Sequence, residues 1–107
     1  MRLPTTVRFA DRSLKEAFYK LEKGNNLERE LFKNINSALD AIEQNSFRGI
    51  QIPKRLIPRG YNAENIWKYN LPHGWRLIYS IYKEDLIIVS LVLDWLSHKE
   101  YERKFNY

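Results

Sequence analysis

The sequence predicts an α+β fold in two layers: a short N-terminal strand and a helical hairpin packed on a four-stranded antiparallel meander, with a short C-terminal helix. Three observations carry that expectation. Apolar residues recur at intervals of three and four from Leu14 to Ile42, then at intervals near two from Arg48 to Tyr82. Turn-forming residues stand where the period breaks, at Gly24-Asn25, Pro58 to Asn65 and Pro72-His73-Gly74. Finally, 107 residues with 44% apolar and 14% aromatic side chains can form one domain, residues 1–107, around a single two-layer core.

Each element follows from local chemistry. Thr5 to Phe9 (TTVRF) is β-prone. Ser13 and Glu16 have the spacing of a capping box, so a helix is expected to begin there, with Leu14, Ala17, Phe18 and Leu21 on one face and Gly24 ending it. Asn25 or Asn26 can cap a second helix, whose stripe is Leu27, Leu31, Ile35, Leu39 and Ile42. Arg48 to Ile57 reads as extended, and Pro53 makes it an edge strand or a bulged one. Ile66 to Leu71 and Trp75 to Tyr82 form a hairpin about the three-residue turn at His73, and Lys83-Glu84-Asp85 makes the next turn. Leu86 to Leu93 is a continuous apolar run, hence a strand covered on both faces. His98 to Phe105 is expected to close the chain as a helix.

Composition excludes several chemistries. No cysteine is present, so disulfides, thiolate nucleophiles and thiolate metal sites are ruled out. Two histidines without acidic companions at ligand spacing speak against a zinc site, and no cofactor or metal is expected. The opening MRLPTTVRFADR lacks an apolar core of the signal-peptide kind, and Leu86 to Leu93 is too short to span a bilayer. A cytoplasmic protein without a membrane partner is therefore expected.

The charge is concentrated. Of 18 basic and 13 acidic residues, six and one fall between Ser46 and Arg76: Arg48, Lys54, Arg55, Arg59, Lys68 and Arg76 against Glu64. The rest of the chain balances to zero, so this segment accounts for the net charge of +5. Basic groups hold a phosphate backbone through charge and counterion release, and aromatic faces stack unpaired bases. Strand alternation sorts the aromatic residues, however. With Leu71 opposite Trp75, one face carries Trp67, Tyr69, Leu71, Trp75, Leu77, Tyr79 and Ile81, which suits a core under the helices. The other carries Lys68, Asn70, Arg76, Ile78 and Ser80, so Lys68 and Arg76 converge on the face away from the helical hairpin. Tyr61, in the loop, remains as a base-stacking platform. Lys54 and Arg55 flank an edge strand, where basic residues also deter edge pairing.

With these elements in place, WKYNLPHGWRLIYSI and LSHKEYERKF resemble segments of the RelE/ParE superfamily of toxin proteins, and the order of elements is similar over nearly the full length. The first is similar to the hairpin of YoeB-type members, where a Trp precedes an Arg-Leu-Val/Ile-Tyr strand at this separation. The second is similar to the His-basic-x-x-Tyr endings of the superfamily, with one residue fewer between Lys99 and Tyr101. Tyr69 and Asn70 stand where those relatives carry arginines.

The resemblance implies a toxin of a type II toxin–antitoxin system, neutralised by a cognate antitoxin protein. The RelE and YoeB branches cut messenger RNA in the ribosomal A site; the ParE branch poisons DNA gyrase. On the first reading Arg76, His98, Tyr101 and Lys68 would be the catalytic set. Arg76 matches the arginine that contacts the scissile phosphate, and His98 and Tyr101 match the C-terminal pair. Lys54, Arg55, Arg59, Tyr61 and Asn70 would hold RNA. Cleavage by the RNA's own 2′-hydroxyl needs a base, cations for the charged transition state and an acid for the leaving 5′-oxygen, and no metal. Arginine's planar fork suits the middle task and histidine the proton transfers. The alternatives are a non-enzymatic ParE-like gyrase inhibitor and a degenerate toxin that only binds its antitoxin.

Overall fold

The computed structural model describes residues 3–105. Among these the elements run β1 (Thr5–Phe9), α1 (Arg12–Leu21), α2 (Asn26–Gln44), β2 (Ile50–Gln51), β3 (Trp67–Asn70), β4 (Arg76–Glu84), β5 (Ile87–Leu96) and α3 (His98–Phe105). The class is α+β. The strands form one mixed sheet in the order β1-β5-β4-β3-β2. The meander expected from the sequence is present, and β1 joins it as a fifth strand, parallel to β5. Placing β1 there makes β5 an interior strand, which accounts for the apolar run of residues 86–93, interrupted only by Ser90, whose hydroxyl is buried against that of Ser46.

Several boundaries move, each for a local reason. α1 begins two residues earlier than the Ser13–Glu16 spacing suggests, because the Asp11 carboxylate accepts the Leu14 N–H at 2.7 Å and serves as the cap. It ends at Leu21, and the chain tightens through bonds from Glu22, Lys23 and Gly24 to carbonyls three residues back. Asn25 caps α2 in a full capping box with Glu28. Of the predicted α2 stripe, Leu31, Ile35 and Ile42 are buried, joined by Ala38, but Leu27 is 77% exposed. The expected strand from Arg48 to Ile57 shrinks to two residues. 3-10 turns at Ser46–Arg48 and Lys54–Leu56 bracket it, the first capped by Asn45 and the second opened by Pro53. The β4–β5 turn falls on Asp85-Leu86, with Asp85 at φ 54°.

The hairpin register is the expected one: Asn70 pairs with Arg76 and Lys68 with Ile78. Its helix-side face therefore enters the main core, where Leu71, Leu77, Tyr79 and Val92 meet Phe18, Leu31, Ile35 and Ile42, flanked by Trp67, Tyr69, Trp75 and Trp95. Tyr79 anchors this layer. Its hydroxyl donates to the Ser46 carbonyl at 2.7 Å and accepts the Gly49 N–H at 3.1 Å, and burial pushes the phenol up to about 12. Gly49 is required by this approach, since a Cβ there would stand 2.5 Å from the Tyr79 hydroxyl and 2.6 Å from the Lys68 carbonyl oxygen.

The opposite face is not left open, as the alternation implied. α3 and the loop after β2 cover its near half with a second core of Ile52, Ile66, Ile78, Leu96, Tyr101 and Phe105. A bulge assists. Ile78 pairs with Asp94 but Tyr79 with Val92, so Leu93 is an extra residue on β5. Leu93 and Asp94 then both serve the α3 side, Leu93 in the second core and Asp94 in the contacts described below.

Candidate functional site

The basic residues of the β3–β4 hairpin converge on α3. Ser97 caps that helix: its hydroxyl accepts the Glu100 N–H at 3.3 Å, and the Glu100 carboxylate accepts the Ser97 N–H at 2.9 Å. Those bonds, the backbone one first, hold the Glu100 carboxyl below its usual range. With this start, an eight-residue helix turns Tyr101 and Phe105 inward at i and i+4, both buried and stacked at 4.6 Å between centroids.

Two cations lie on the ring of Tyr101. Lys68 Nζ is 5.0 Å from its centroid and Arg76 Cζ 5.3 Å. Such contacts contribute roughly 0.5–1 kcal/mol each when exposed and more when desolvated. Arg76 is held further by its own turn, since Nη1 donates to the Gly74 carbonyl at 2.6 Å and to that of Trp75 at 3.3 Å. Its buried Nε finds no hydrogen-bond partner among the described residues. Asn70, the cross-strand neighbour of Arg76, is exposed beside it.

The turn couples this centre to His98. Gly74 has φ 80°, and a Cβ on it would lie 3.0 Å from the His98 Cβ, so hairpin and helix touch where only glycine fits. His98 sits at the start of α3 with an exposed side chain, and its Nε2 pairs with Glu102. His98 and Tyr101 thus belong to one end of one helix but differ in access: the imidazole faces solvent while the phenol ring is 3% exposed.

Tyr61 is not the open platform expected of a loop residue. Its ring lies against Phe105 at 5.9 Å, and its hydroxyl donates to Asp94 at 3.1 Å. Lys104 closes the arrangement, 3.5 Å from Asp94 and 4.5 Å from the Tyr61 centroid. Burial, then the charge and hydrogen bond of Asp94, raise the phenol far above its ordinary value, so it stays a donor. Tyr61, Phe105 and Tyr101 form a ladder of rings across α3, with Lys104 at one end and Lys68 and Arg76 at the other.

Lys54, Arg59 and Tyr61 line a shallow cleft of about 600 Å³ shared with Glu64. Arg55 is exposed on the 3-10 turn beside Lys54. Eight of the nine sequence candidates thus divide into a central group (Arg76, Lys68, Tyr101, Asn70, with His98 at its rim) and an outer basic group (Lys54, Arg55, Arg59), while the ninth, Tyr61, is drawn into the packing under α3. Two residues escaped notice, Asp94 and Glu102. A carboxylate inside an apolar strand and an i, i+4 spacing from His98 were their visible signals.

Among the described residues no group of three or more His, Asp or Glu side chains is placed to hold a metal ion, and no helix is long and apolar enough to cross a membrane. No family model, no curated protein and no solved structure matches this chain.

Proposed function

We propose that this protein is a toxin of the RelE/ParE kind, a ribosome-dependent, metal-independent endoribonuclease that cuts messenger RNA in the A site and is neutralised by a cognate antitoxin. The observation that supports this reading is the pair of cations, Lys68 and Arg76, held on the buried ring of Tyr101 with His98 at the rim. Such a cluster suits a reaction in which negative charge builds on a phosphate.

In that reaction the RNA's 2′-oxygen attacks the adjacent phosphorus as a base takes its proton. The bond from phosphorus to the 5′-oxygen breaks as an acid returns a proton to that oxygen. The products are a 2′,3′-cyclic phosphate and a 5′-hydroxyl. Arg76 and Lys68 stabilise the phosphorane-like charge. His98, exposed and partnered by Glu102, is the group suited to moving a proton. Tyr101 acts as the platform that aims the cations. Asn70 and the outer residues Lys54, Arg55 and Arg59 would hold flanking nucleotides, within the cytoplasm where ribosomes and messenger RNA are found.

Primer extension on messenger RNA in programmed ribosomes tests this. Wild type is expected to cut within the A-site codon, and Arg76→Ala to lose about 10²–10³ in rate while still binding antitoxin. Equal cutting by the variant removes Arg76 from the site. No cutting by wild type on ribosomes from a matched source overturns the ribonuclease reading.

A further inference from the structure

A second recess lies on the other side of the sheet from the Lys68–Arg76 centre, where the start of α2 passes the β3–β4 turn. Its volume is about 370 Å³, and Leu21, Leu27, Leu31, Trp75 and Trp95 supply its apolar walls. Leu27 continues the apolar stripe of α2 by one turn past the point where the sheet covers it, which is why a leucine predicted to be core stands 77% exposed. A partly open groove walled by two indoles and three leucines gains by covering that surface.

The charge of the lining is opposite to that of the protein. Glu28 and Glu30 border the groove and no Lys or Arg does, although the chain carries a net charge of +5. His73, in the left-handed region at φ 62°, stands at the mouth with Nε2 3.2 Å from Glu30 Oε1. Glu28 already accepts the Asn25 N–H in the cap of α2, so selectivity for charge falls mainly on Glu30 and on the faces of the indoles, which attract cations.

We infer that this groove docks a segment of a partner protein that presents leucine-like side chains flanked by arginine or lysine. The lining carboxylates disfavour an acidic segment, and the aromatic walls accommodate both the apolar body and the cationic head of a basic one. This inference does not rest on the ribonuclease reading: it concerns another face, and its ligand has the opposite charge to RNA.

The test titrates a short helical peptide, with leucines one turn apart and flanking arginines, into the full chain while tryptophan emission is followed. A matched peptide carries glutamates in place of the arginines. The arginine peptide is expected to shift the emission and to bind on the order of tenfold tighter than its counterpart. Glu30→Gln should remove most of that preference, and Leu27→Ser should weaken both peptides. Both side chains are well exposed, and an unchanged circular dichroism spectrum shows that the variants fold. Equal binding of the two peptides, tighter binding of the acidic one, no binding of either, or indifference to both substitutions overturns the proposal. So does self-association in sedimentation that Leu27→Ser abolishes, because a second copy of the chain would then be the occupant.

Discussion

Tyr101 carries two distinct chemical possibilities, a phenol that moves a proton and a ring that positions cations. Its 3% exposure and the two cations over its face favour the ring. The two roles separate by substitution. Tyr101→Phe keeps the face, the stacking on Phe105 and the burial, so A-site cutting is expected to stay within a few-fold of wild type. Tyr101→Leu removes the quadrupole and part of the packing. It should cost on the order of tenfold or more in rate and about 1–3 kcal/mol in stability, read by denaturant unfolding. A Phe variant that loses 10²–10³ in rate with unchanged stability would return the phenol to the chemistry.

At the scale of the element, α3 is held by its cap as well as by its rings. The Glu100 carboxyl is lowered chiefly by the Ser97 backbone N–H, then by the Ser97 side chain. Its folded pKa lies below the unfolded value, so the carboxylate stabilises the native state above its ordinary value of 4.5 and that contribution disappears as pH falls through the folded pKa. Glu100→Gln can keep the capping geometry without the charge. Thermal melts across the acid range should therefore fall less steeply for the variant than for wild type, and parallel curves would deny the cap its role. This helix was legible in the sequence, as were α2, the β3–β4 hairpin and its register, because each follows from local periodicity and turn chemistry. The parallel pairing of β1 with β5 was not, since no local signal reports which strands become neighbours. The site divided the same way. Strand alternation brought Lys68 and Arg76 together, whereas the burial of Tyr61 and Tyr101 depends on where α3 docks. Periodicity shows only that the helix has an apolar face.

At the scale of the whole molecule, the two candidate binding regions differ in charge and lie on opposite sides of the sheet. The basic hairpin and the Lys54 to Arg59 turn lie on the α3 side, while the indole groove with its two carboxylates lies on the helix side. Binding of a single-stranded RNA to the α3 side should weaken linearly in log affinity against log salt, by counterion release. Lys68→Ala should reduce that slope by about one and weaken binding to all sequences alike, measured by fluorescence anisotropy over a salt series. An unchanged slope would place Lys68 outside the contact.

The parallel seam between β1 and β5 also limits when the sheet can be completed during synthesis. Thr5 pairs with Ile88 and Phe9 with Val92, so β1 leaves the ribosome long before β5, its neighbour among the described residues. Phe9 and Phe18, whose rings meet 5.3 Å apart, have only the helical hairpin to shelter them until then, because Val92 and Trp95 are translated late. Closure over so long a stretch of chain is slow, and unpaired apolar strands are prone to wrong association in the interval. A nascent chain halted at the Asp85-Leu86 turn would hold both helices, β4 and the cationic hairpin but neither completed core, lacking Val92 for one and Leu96, Tyr101 and Phe105 for the other. The arginine and lysine of the candidate centre are thus synthesised before the ring that gathers them, and the newborn chain acquires its assembled site only when translation has passed α3.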